Sequence, residues 1–145
     1  MSIQRKIVDD NFSVSSQPTQ EEIAELAAAG VRSLICNRPD GESNDQPTIE
    51  EIRDAAAALG LEVVHVPVVS GQFDDADIDA FAKAMDRLEA PVHAYCRTGT
   101  RSITMWSLVQ QRRGVVVERL RGVRRRRKRR PRGRGRWRNR WGHGG

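Results

Sequence analysis

The sequence predicts an α/β domain in which a mostly parallel sheet is covered by helices on both faces. Three observations indicate this fold class. Short apolar runs of strand length alternate with segments of helical periodicity, the helical segments begin at N-terminal capping signatures, and glycine, proline or polar clusters separate the elements. Alternation of strands with helices is typical of parallel sheets, because each crossover needs a helix-length connection.

Four segments have the length and composition of strands. They are residues 12–14, 31–36, 61–66 and 91–95. Breakers delimit them, since Pro67 closes the third strand and Pro91 opens the fourth. The fourth predicted strand runs directly into Cys96.

Four helices are predicted among these strands. Thr19 with Glu22, and Thr48 with Glu51, have the spacing of capping boxes, and each pair opens an alanine-rich helix. A third helix follows the acidic pair at positions 74 and 75, where carboxylates favour the helix N-terminus. Its apolar residues recur at intervals of three and four, namely Ile78, Phe81, Ala82, Met85 and Leu88. Residues 102–111 form the fourth predicted helix.

Charge divides the chain of 145 residues into two parts. Residues 1–113 contain 11 lysines and arginines against 18 acidic residues, a net charge of −7. Residues 114–145 contain 14 basic residues and one acid, Glu118, a net charge of +13. The overall charge of +6 is the sum of these two values, so the positive charge comes from the C-terminal part alone, and residues 1–113 are not predicted to bind nucleic acid. We predict one domain over residues 1–113.

Residues 114–145 are predicted to be a disordered, arginine-rich tail. Hydrophobic periodicity stops near Gly114, and residues 124–130 are seven consecutive cations. One hypothesis is a frameshift in a GC-rich gene, which would turn alanine codons of a closing helix into arginine and proline codons. The alternative is an RNA-binding tail, in which the cations bind phosphates and Trp137 and Trp141 stack on bases.

Composition also limits the compartment and the cofactors. Two cysteines, Cys36 and Cys96, cannot form a disulfide framework, the N-terminus has no apolar run typical of a signal peptide, and no segment approaches about 20 apolar residues. We expect a cytoplasmic protein without a membrane anchor. The three histidines form no cluster with ligand spacing, so neither a metal nor another cofactor is predicted.

The segment Cys96-Arg97-Thr98-Gly99-Thr100-Arg101 carries the predicted chemistry. It connects a strand to a helix, and ligands of such sheets bind beyond the C-terminal ends of the strands. Backbone N–H groups and the helix N-terminus would face an anion there, and two arginines add positive charge. This setting should lower the pKa of the Cys96 thiol and make it a nucleophile. The alternative is a buried strand-end thiol beside two solvated arginines. Cys36 lacks a cation-rich loop and is predicted to be such a structural cysteine, with a resolving thiol as the alternative.

Four motifs occur in an order that resembles a known family. They are Ser16-Gln17-Pro18, Asn37-Arg38-Pro39-Asp40-Gly41-Glu42, Val66-Pro67-Val68 with Ser70-Gly71-Gln72, and Ala94-Tyr95-Cys96-Arg97-Thr98-Gly99-Thr100-Arg101-Ser102. Over residues 4–113 the chain resembles the bacterial beta-lactamase-hydrolase-like phosphatase-like domains, also described as sulfur transferases on the dual-specificity phosphatase fold. The resemblance implies a cysteine-phosphatase-like fold. Some members are fused to a persulfide dioxygenase-type domain, which the resemblance implies as a functional partner.

Three departures from the cysteine phosphatases favour sulfur transfer. Only four residues separate Cys96 from Arg101, where the phosphatases have five, and this shorter loop resembles that of rhodanese-type sulfurtransferases. Tyr95 occupies the position before the nucleophile where phosphatases usually have histidine; His93 lies two positions earlier, where a structural role is expected. Residues 67–70 contain no acid to protonate a leaving alkoxide; Asp74 and Asp75 follow later, where a place at a helix N-terminus is favoured over the alternative role of general acid.

The sequence therefore predicts a sulfurtransferase that moves sulfane sulfur from thiosulfate or a persulfide to a thiol acceptor through a Cys96 persulfide. Cys96 and Arg101 are the predicted catalytic residues. The predicted substrate-binding residues are Arg97, Thr98, Gly99, Thr100 and Ser102. By resemblance to the phosphatases, the Ser102 hydroxyl is expected to hydrogen-bond the Cys96 sulfur. The alternative function is a phosphotyrosine or small-phosphoester phosphatase that uses the same cysteine.

Overall fold

In the computed structural model, five strands within the described residues form one sheet. They are β1 (Lys6–Asp9), β2 (Phe12–Ser15), β3 (Ser33–Cys36), β4 (Glu62–His65) and β5 (Val92–Tyr95). The strand order is β1-β2-β5-β3-β4, with β1 antiparallel to β2 and the other three pairs parallel. The structure describes the backbone of residues 4–129 and the side chains of residues 4–114. The predicted α/β class and mostly parallel sheet are confirmed.

Four helices accompany the sheet in the part of the chain that the structure describes. They are α1 (Gln20–Ala28), α2 (Ile49–Ala57), α3 (Asp75–Arg87) and α4 (Thr100–Arg129). Both predicted capping boxes are present: the Thr19 and Thr48 hydroxyls accept hydrogen bonds from the backbone N–H groups of the N3 glutamates. Asp74 caps α3 in the same way, which agrees with its predicted place at a helix N-terminus.

Alternate residues of the strands face two apolar clusters on opposite faces of the sheet. Leu34 packs with α1 and α2, whereas Ile35, its neighbour in β3, packs with α3 and α4. Both are fully buried. A central strand buried on both faces must be apolar along its whole length, which explains why β3 reads as a continuous apolar run in the sequence.

Two features of the fold were not predicted. β1 is largely exposed and pairs only with β2 at the sheet edge, so it carries no periodic apolar pattern. The fourth helix begins at Thr100, two residues earlier than predicted, and its backbone continues to Arg129, beyond the predicted end at residue 111. Arginine and glutamine favour helix, and Gly114 alone costs only about 1 kcal/mol, so loss of the apolar pattern does not end the helix.

The chain separates into two units, Met1–Val109 and Gln110–Gly145. The first contains the sheet and the cysteine loop (residues 96–102); the second contains the continuation of α4. The backbone of residues 114–129 is helical, and residues 130–145 lie outside the described part, so the disorder of the tail remains a prediction. Within residues 4–129, no helix is both long and apolar enough to cross a membrane.

Candidate active site

Cys96 lies at the carboxyl end of β5, the middle strand of the sheet, and directly precedes the loop into α4. β5 pairs with β2 on one side and β3 on the other, so the loops after three parallel strands meet at this edge. The Cys96 residue has no exposed surface.

The Cys96 sulfur is surrounded by backbone donors of its own loop. The Gly99 N–H donates to Sγ at 3.0 Å. Burial alone would raise the pKa of the Cys96 thiol, but backbone N–H groups of Ser102, Thr98, Arg101 and Gly99 stabilise the thiolate and leave the pKa below its ordinary value of 9.0. These donors include the first N–H groups of α4, which have no partner inside the helix. The predicted lowering of this pKa agrees with the geometry.

Gly99 is required at its position for two reasons. Its φ of +93° lies in the region that side-chain-bearing residues avoid. A Cβ at this position would also lie 3.3 Å from the carbonyl carbon and oxygen of Ser15. Glycine thus lets the loop pack against the end of β2 while its N–H points at the sulfur.

Arg101 is fixed by a carboxylate and a carbonyl. Its Nη1 and Nη2 each donate to a different oxygen of Glu42 at 2.8 Å, and Nη1 also donates to the Val68 carbonyl at 2.9 Å. The pKa of Arg101 is raised, mainly by its hydrogen bond with Glu42. The negative charge of the Cys96 thiolate contributes to the same shift. The structure therefore brings the predicted catalytic residues Cys96 and Arg101 together. It also places Glu42, which was not predicted, in the same site.

Three predicted substrate-binding residues lie on the outer side of the loop. Arg97, Thr98 and Thr100 are exposed. The Thr98 hydroxyl donates to Thr100 Oγ1 at 3.2 Å, which helps to order the first turn of α4. The pKa of Asp45 is lowered mainly by a hydrogen bond from Ser43. Nearby positive charges, including that of Arg97, lower it further. Arg97 is thus a solvent-exposed residue of the loop whose charge acts on Asp45.

The expected hydrogen bond from the Ser102 hydroxyl to the Cys96 sulfur is not formed. Ser102 Oγ donates to Asn37 Oδ1 at 2.8 Å, and a hydroxyl has only one proton to donate. Asn37 in turn donates to the Val66 carbonyl at 2.9 Å, which joins the loops after β3, β4 and β5. Ser102 acts on Cys96 through its backbone N–H instead.

His93 is buried between two serines of β2. Its Nδ1 and Nε2 each lie 2.8 Å from a serine hydroxyl, of Ser13 and Ser15 respectively. Ser15 Oγ donates its proton to the Ser16 carbonyl, so Nε2 carries the imidazole proton and Nδ1 accepts from Ser13. Burial lowers the pKa of His93 to about 3, so the ring is neutral at physiological pH. Through these hydrogen bonds the histidine joins two strands, in agreement with its expected structural role.

Cys36 ends the neighbouring strand in a different environment. It is buried, and its Sγ donates to the Arg38 carbonyl at 3.4 Å. Burial raises the pKa of the Cys36 thiol above its ordinary value. A protonated, buried thiol fits the predicted structural role rather than that of a resolving cysteine.

A small cavity of about 200 Å³ adjoins Arg101. The residues that line it, all in the described part of the chain, are Val68, Ser70, Gly71, Phe73, Thr100, Arg101 and Thr104. None carries a carboxyl group. The nearby carboxyl of Glu42 has a lowered pKa, mainly because of the hydrogen bond from Arg101, so it is ionised and has no proton to give.

Sequence reasoning missed Glu42, Asn37 and the Val68 carbonyl as parts of the site. The signal was present, since both side chains occur in the motif that follows the predicted strand at residues 31–36. Strand order was the missing information, because it alone places this motif beside the cysteine loop. Among the described residues, no group of three or more His, Cys, Asp or Glu side chains is arranged to hold a metal ion.

Comparisons with known proteins agree with this fold. Residues 4–113 match the family described as beta-lactamase hydrolase-like protein, phosphatase-like domain. A beta-lactamase hydrolase-like protein of Xylella fastidiosa (strain Temecula1) is 39% identical over 105 residues, which cover 71% of this chain and 24% of that protein. The chain spans about a quarter of the length of the curated relatives it matches.

Two solved structures share the fold. A candidate phosphatase from Neisseria meningitidis aligns with a TM-score of 0.66 and 33% identity, over 70% of this chain and 72% of that one. A candidate phosphatase from Shewanella putrefaciens aligns with a TM-score of 0.70 and 24% identity, over 78% and 71%. The fold is that of the cysteine phosphatases, as the resemblance implied.

Proposed function

Since the chain belongs to the beta-lactamase hydrolase-like protein, phosphatase-like domain family, we propose that it is a cysteine-dependent enzyme that transfers sulfane sulfur. The observation that carries the proposal is the Cys96 sulfur, held by converging backbone N–H groups in a site whose carboxylate cannot supply a proton. Such a site favours a nucleophile whose leaving group needs no acid.

The first half-reaction begins with attack of the Cys96 thiolate on the outer sulfur of thiosulfate. The new bond joins Cys96 Sγ to that sulfur, the sulfur–sulfur bond of the donor breaks, and sulfite leaves with the electron pair. Sulfite is a stable anion at neutral pH, so no general acid is needed. The backbone N–H groups that bind the thiolate can then bind the terminal sulfur of the persulfide.

The second half-reaction returns Cys96 to its starting form. An acceptor thiolate attacks the terminal sulfur of the Cys96 persulfide, the bond from that sulfur to Sγ breaks, and Cys96 leaves as a thiolate. The acceptor becomes a persulfide. The low pKa of Cys96 supports this step as well, because a stable thiolate is a good leaving group.

Arg101 is proposed to bind the anionic end of the donor. The Cys96 thiolate interacts with the Arg101 guanidinium and contributes to its raised pKa, whereas Arg97 is an exposed residue. The N-terminus of α4 adds a partial positive charge at the same place. We propose Arg97 as a contact for larger donors or acceptors at the rim of the site.

A phosphatase is the second candidate, and the comparisons favour it. The family is described as phosphatase-like, and the similar Neisseria structure is a candidate phosphatase. Two features of the site weigh against efficient phosphoester hydrolysis. The residues that line the cavity beside Arg101 provide no carboxyl to protonate an alkoxide, and the loop is one residue shorter than in cysteine phosphatases.

A direct comparison of substrates tests the proposal. The full chain is incubated with thiosulfate and cyanide, and thiocyanate is measured; a parallel reaction contains an aryl phosphate. We expect turnover of thiosulfate and little hydrolysis of the phosphoester. Efficient phosphoester hydrolysis without thiocyanate formation would make the phosphatase the correct function.

A further inference from the structure

The carboxylate of Glu42 joins two arginines of different exposure. Arg38 Nε donates to its Oε1 at 2.9 Å, and the two Nη atoms of Arg101 donate at 2.8 Å. The Arg38 side chain is 5% exposed and that of Arg101 12%. The Glu42 side chain between them is 27% exposed, so the cluster is partly open to solvent, and it differs from an ordinary surface ion pair in its several hydrogen bonds of fixed geometry rather than in burial.

Arg38 holds Glu42 from the protein interior. Each nitrogen of its guanidinium has a partner: Nε donates to Glu42, Nη1 to Gln17 at 3.0 Å and Nη2 to Ser43 at 3.1 Å. The Arg38 carbonyl lies 2.9 Å from Nε2 of His65, which fixes the backbone as well. Arg38 is thus committed to the protein and positions the Glu42 carboxylate.

Glu42 and Val68 together bind one edge of the Arg101 guanidinium. Nη1 uses both of its protons, on Glu42 Oε2 and on the Val68 carbonyl, and Nη2 uses one on Glu42 Oε1. The Nε proton and the second Nη2 proton form the other edge of the planar group. An arginine held by its outer edge can present this second edge to an anion in a fixed orientation.

We propose that Glu42 is a positioning residue that orients Arg101 toward the anionic donor at Cys96. The inference rests on the proposed role of Cys96 as a nucleophile for anions, but not on which atom the enzyme transfers. The charge balance is compatible with this role, because Arg38 offsets Glu42 and leaves the charge of Arg101 available. Glu42 does not touch the substrate in this account and acts through Arg101.

The test compares alkylation of Cys96 by an anionic and a neutral reagent. Iodoacetate and iodoacetamide have the same reacting carbon, so the ratio of their rates measures attraction of an anion to the thiolate. The rates are followed on the Cys96 peptide by mass spectrometry in the full chain. We expect iodoacetate to be favoured in the wild type and Glu42→Gln to lower the ratio by about tenfold, a typical coupling for contacting residues.

Two further variants separate positioning from a general loss of structure. Glu42→Asp keeps the charge but shortens the side chain, and it should also lower the ratio because it cannot bridge both arginines. Glu62→Gln is the matched control: Glu62 pairs with Arg87 at 2.7 Å on the exposed surface, and its loss should leave the ratio within about twofold. Glu42→Gln should have no additional effect when Arg101 is already alanine.

The outcomes distinguish this proposal from the proposed function. A higher ratio in Glu42→Gln would mean that Glu42 screens Arg101 instead of orienting it, and an unchanged ratio would mean that Arg101 needs no such partner; either result overturns the proposal. A wild type with no preference for iodoacetate overturns it as well. A lower ratio in a protein that does not turn over thiosulfate would support positioning and refute sulfur transfer.

Discussion

The carboxyl ends of β3 and β5 offer a comparison within one sheet. Both strands are buried, and they are parallel neighbours. β3 ends at Cys36, and β5 runs directly into Cys96. Yet the pKa of Cys36 is raised and that of Cys96 is lowered. Burial raises the pKa of both thiols, so burial does not explain the difference.

The backbone that follows each cysteine accounts for the difference. After Cys96 the chain turns through Gly99 into α4, and N–H groups point at the sulfur. After Cys36 the chain presents the Arg38 carbonyl, to which the thiol donates its proton. At Cys96 the donors outweigh the cost of burying a thiolate, whereas at Cys36 burial dominates and keeps the thiol protonated, so similar strands end in a candidate nucleophile and an unreactive cysteine.

Replacement of each cysteine by serine should give the largest difference in activity between variants at the two strand ends. Cys96→Ser removes the proposed nucleophile, and we expect thiosulfate:cyanide turnover to fall by roughly a thousandfold or more. Cys36→Ser should retain turnover within about twofold of the wild type, once equal folding is verified by circular dichroism. Equal losses in the two variants would remove the functional distinction between the cysteines.

A change in loop length should have the next largest effect. One residue inserted between Thr98 and Gly99 gives the spacing of the cysteine phosphatases, but it displaces the N–H groups from the Cys96 sulfur. We expect sulfur transfer to fall by about a hundredfold, with at most slight phosphatase activity because the acid is still missing. An insertion variant with efficient phosphoester hydrolysis would show that loop length alone selects the reaction.

Alanine at Gly99 should have a moderate effect on both stability and activity. Gly99 and Gly60 both have positive φ, but only Gly99 lies against a neighbouring backbone, at Ser15. Both substitutions should cost about 1 kcal/mol of unfolding free energy through backbone strain, measured by urea denaturation. Gly99→Ala should in addition lower turnover by about tenfold, while Gly60→Ala leaves it unchanged. Equal turnover in the two variants would argue against a need for this loop geometry.

The smallest expected effect is a difference in the pH dependence of alkylation between Cys96 and Cys36, which compares the pKa values of the two thiols directly. The thiolate reacts with iodoacetamide and the thiol does not, so each rate rises with pH through the pKa of its own cysteine. With each rate normalised to its plateau, the Cys96 curve should reach half its maximum below pH 9.0 and the Cys36 curve above it. Coincident curves would contradict the comparison.

Local signals in the sequence predicted much of the fold. The capping boxes at Thr19 and Thr48 depend only on residues three positions apart, and the structure confirms both. β1 was missed because an exposed edge strand needs no apolar pattern; its pairing with β2 stabilises it instead. The extent of α4 was missed because helix formation by arginine-rich sequence does not require an apolar face.

The site was predictable only where it is continuous in the sequence. The cysteine loop could be identified from the strand, the glycine and the arginines that follow one another along the chain. Glu42 lies 59 positions from Arg101, and their contact depends on β3 lying next to β5. The direction of the Ser102 hydroxyl depends in the same way on Asn37, a residue of another loop.

Mass spectrometry of the thiosulfate-treated protein tests the central claim most directly. A brief reaction without acceptor, followed by digestion under non-reducing conditions, should show one added sulfur, about 32 Da, on the peptide that contains Cys96. The peptide that contains Cys36 should remain unmodified. A sulfur found on Cys36 alone, or no added sulfur on Cys96 together with a phosphoryl adduct there after treatment with a phosphoester, would contradict sulfur transfer through Cys96.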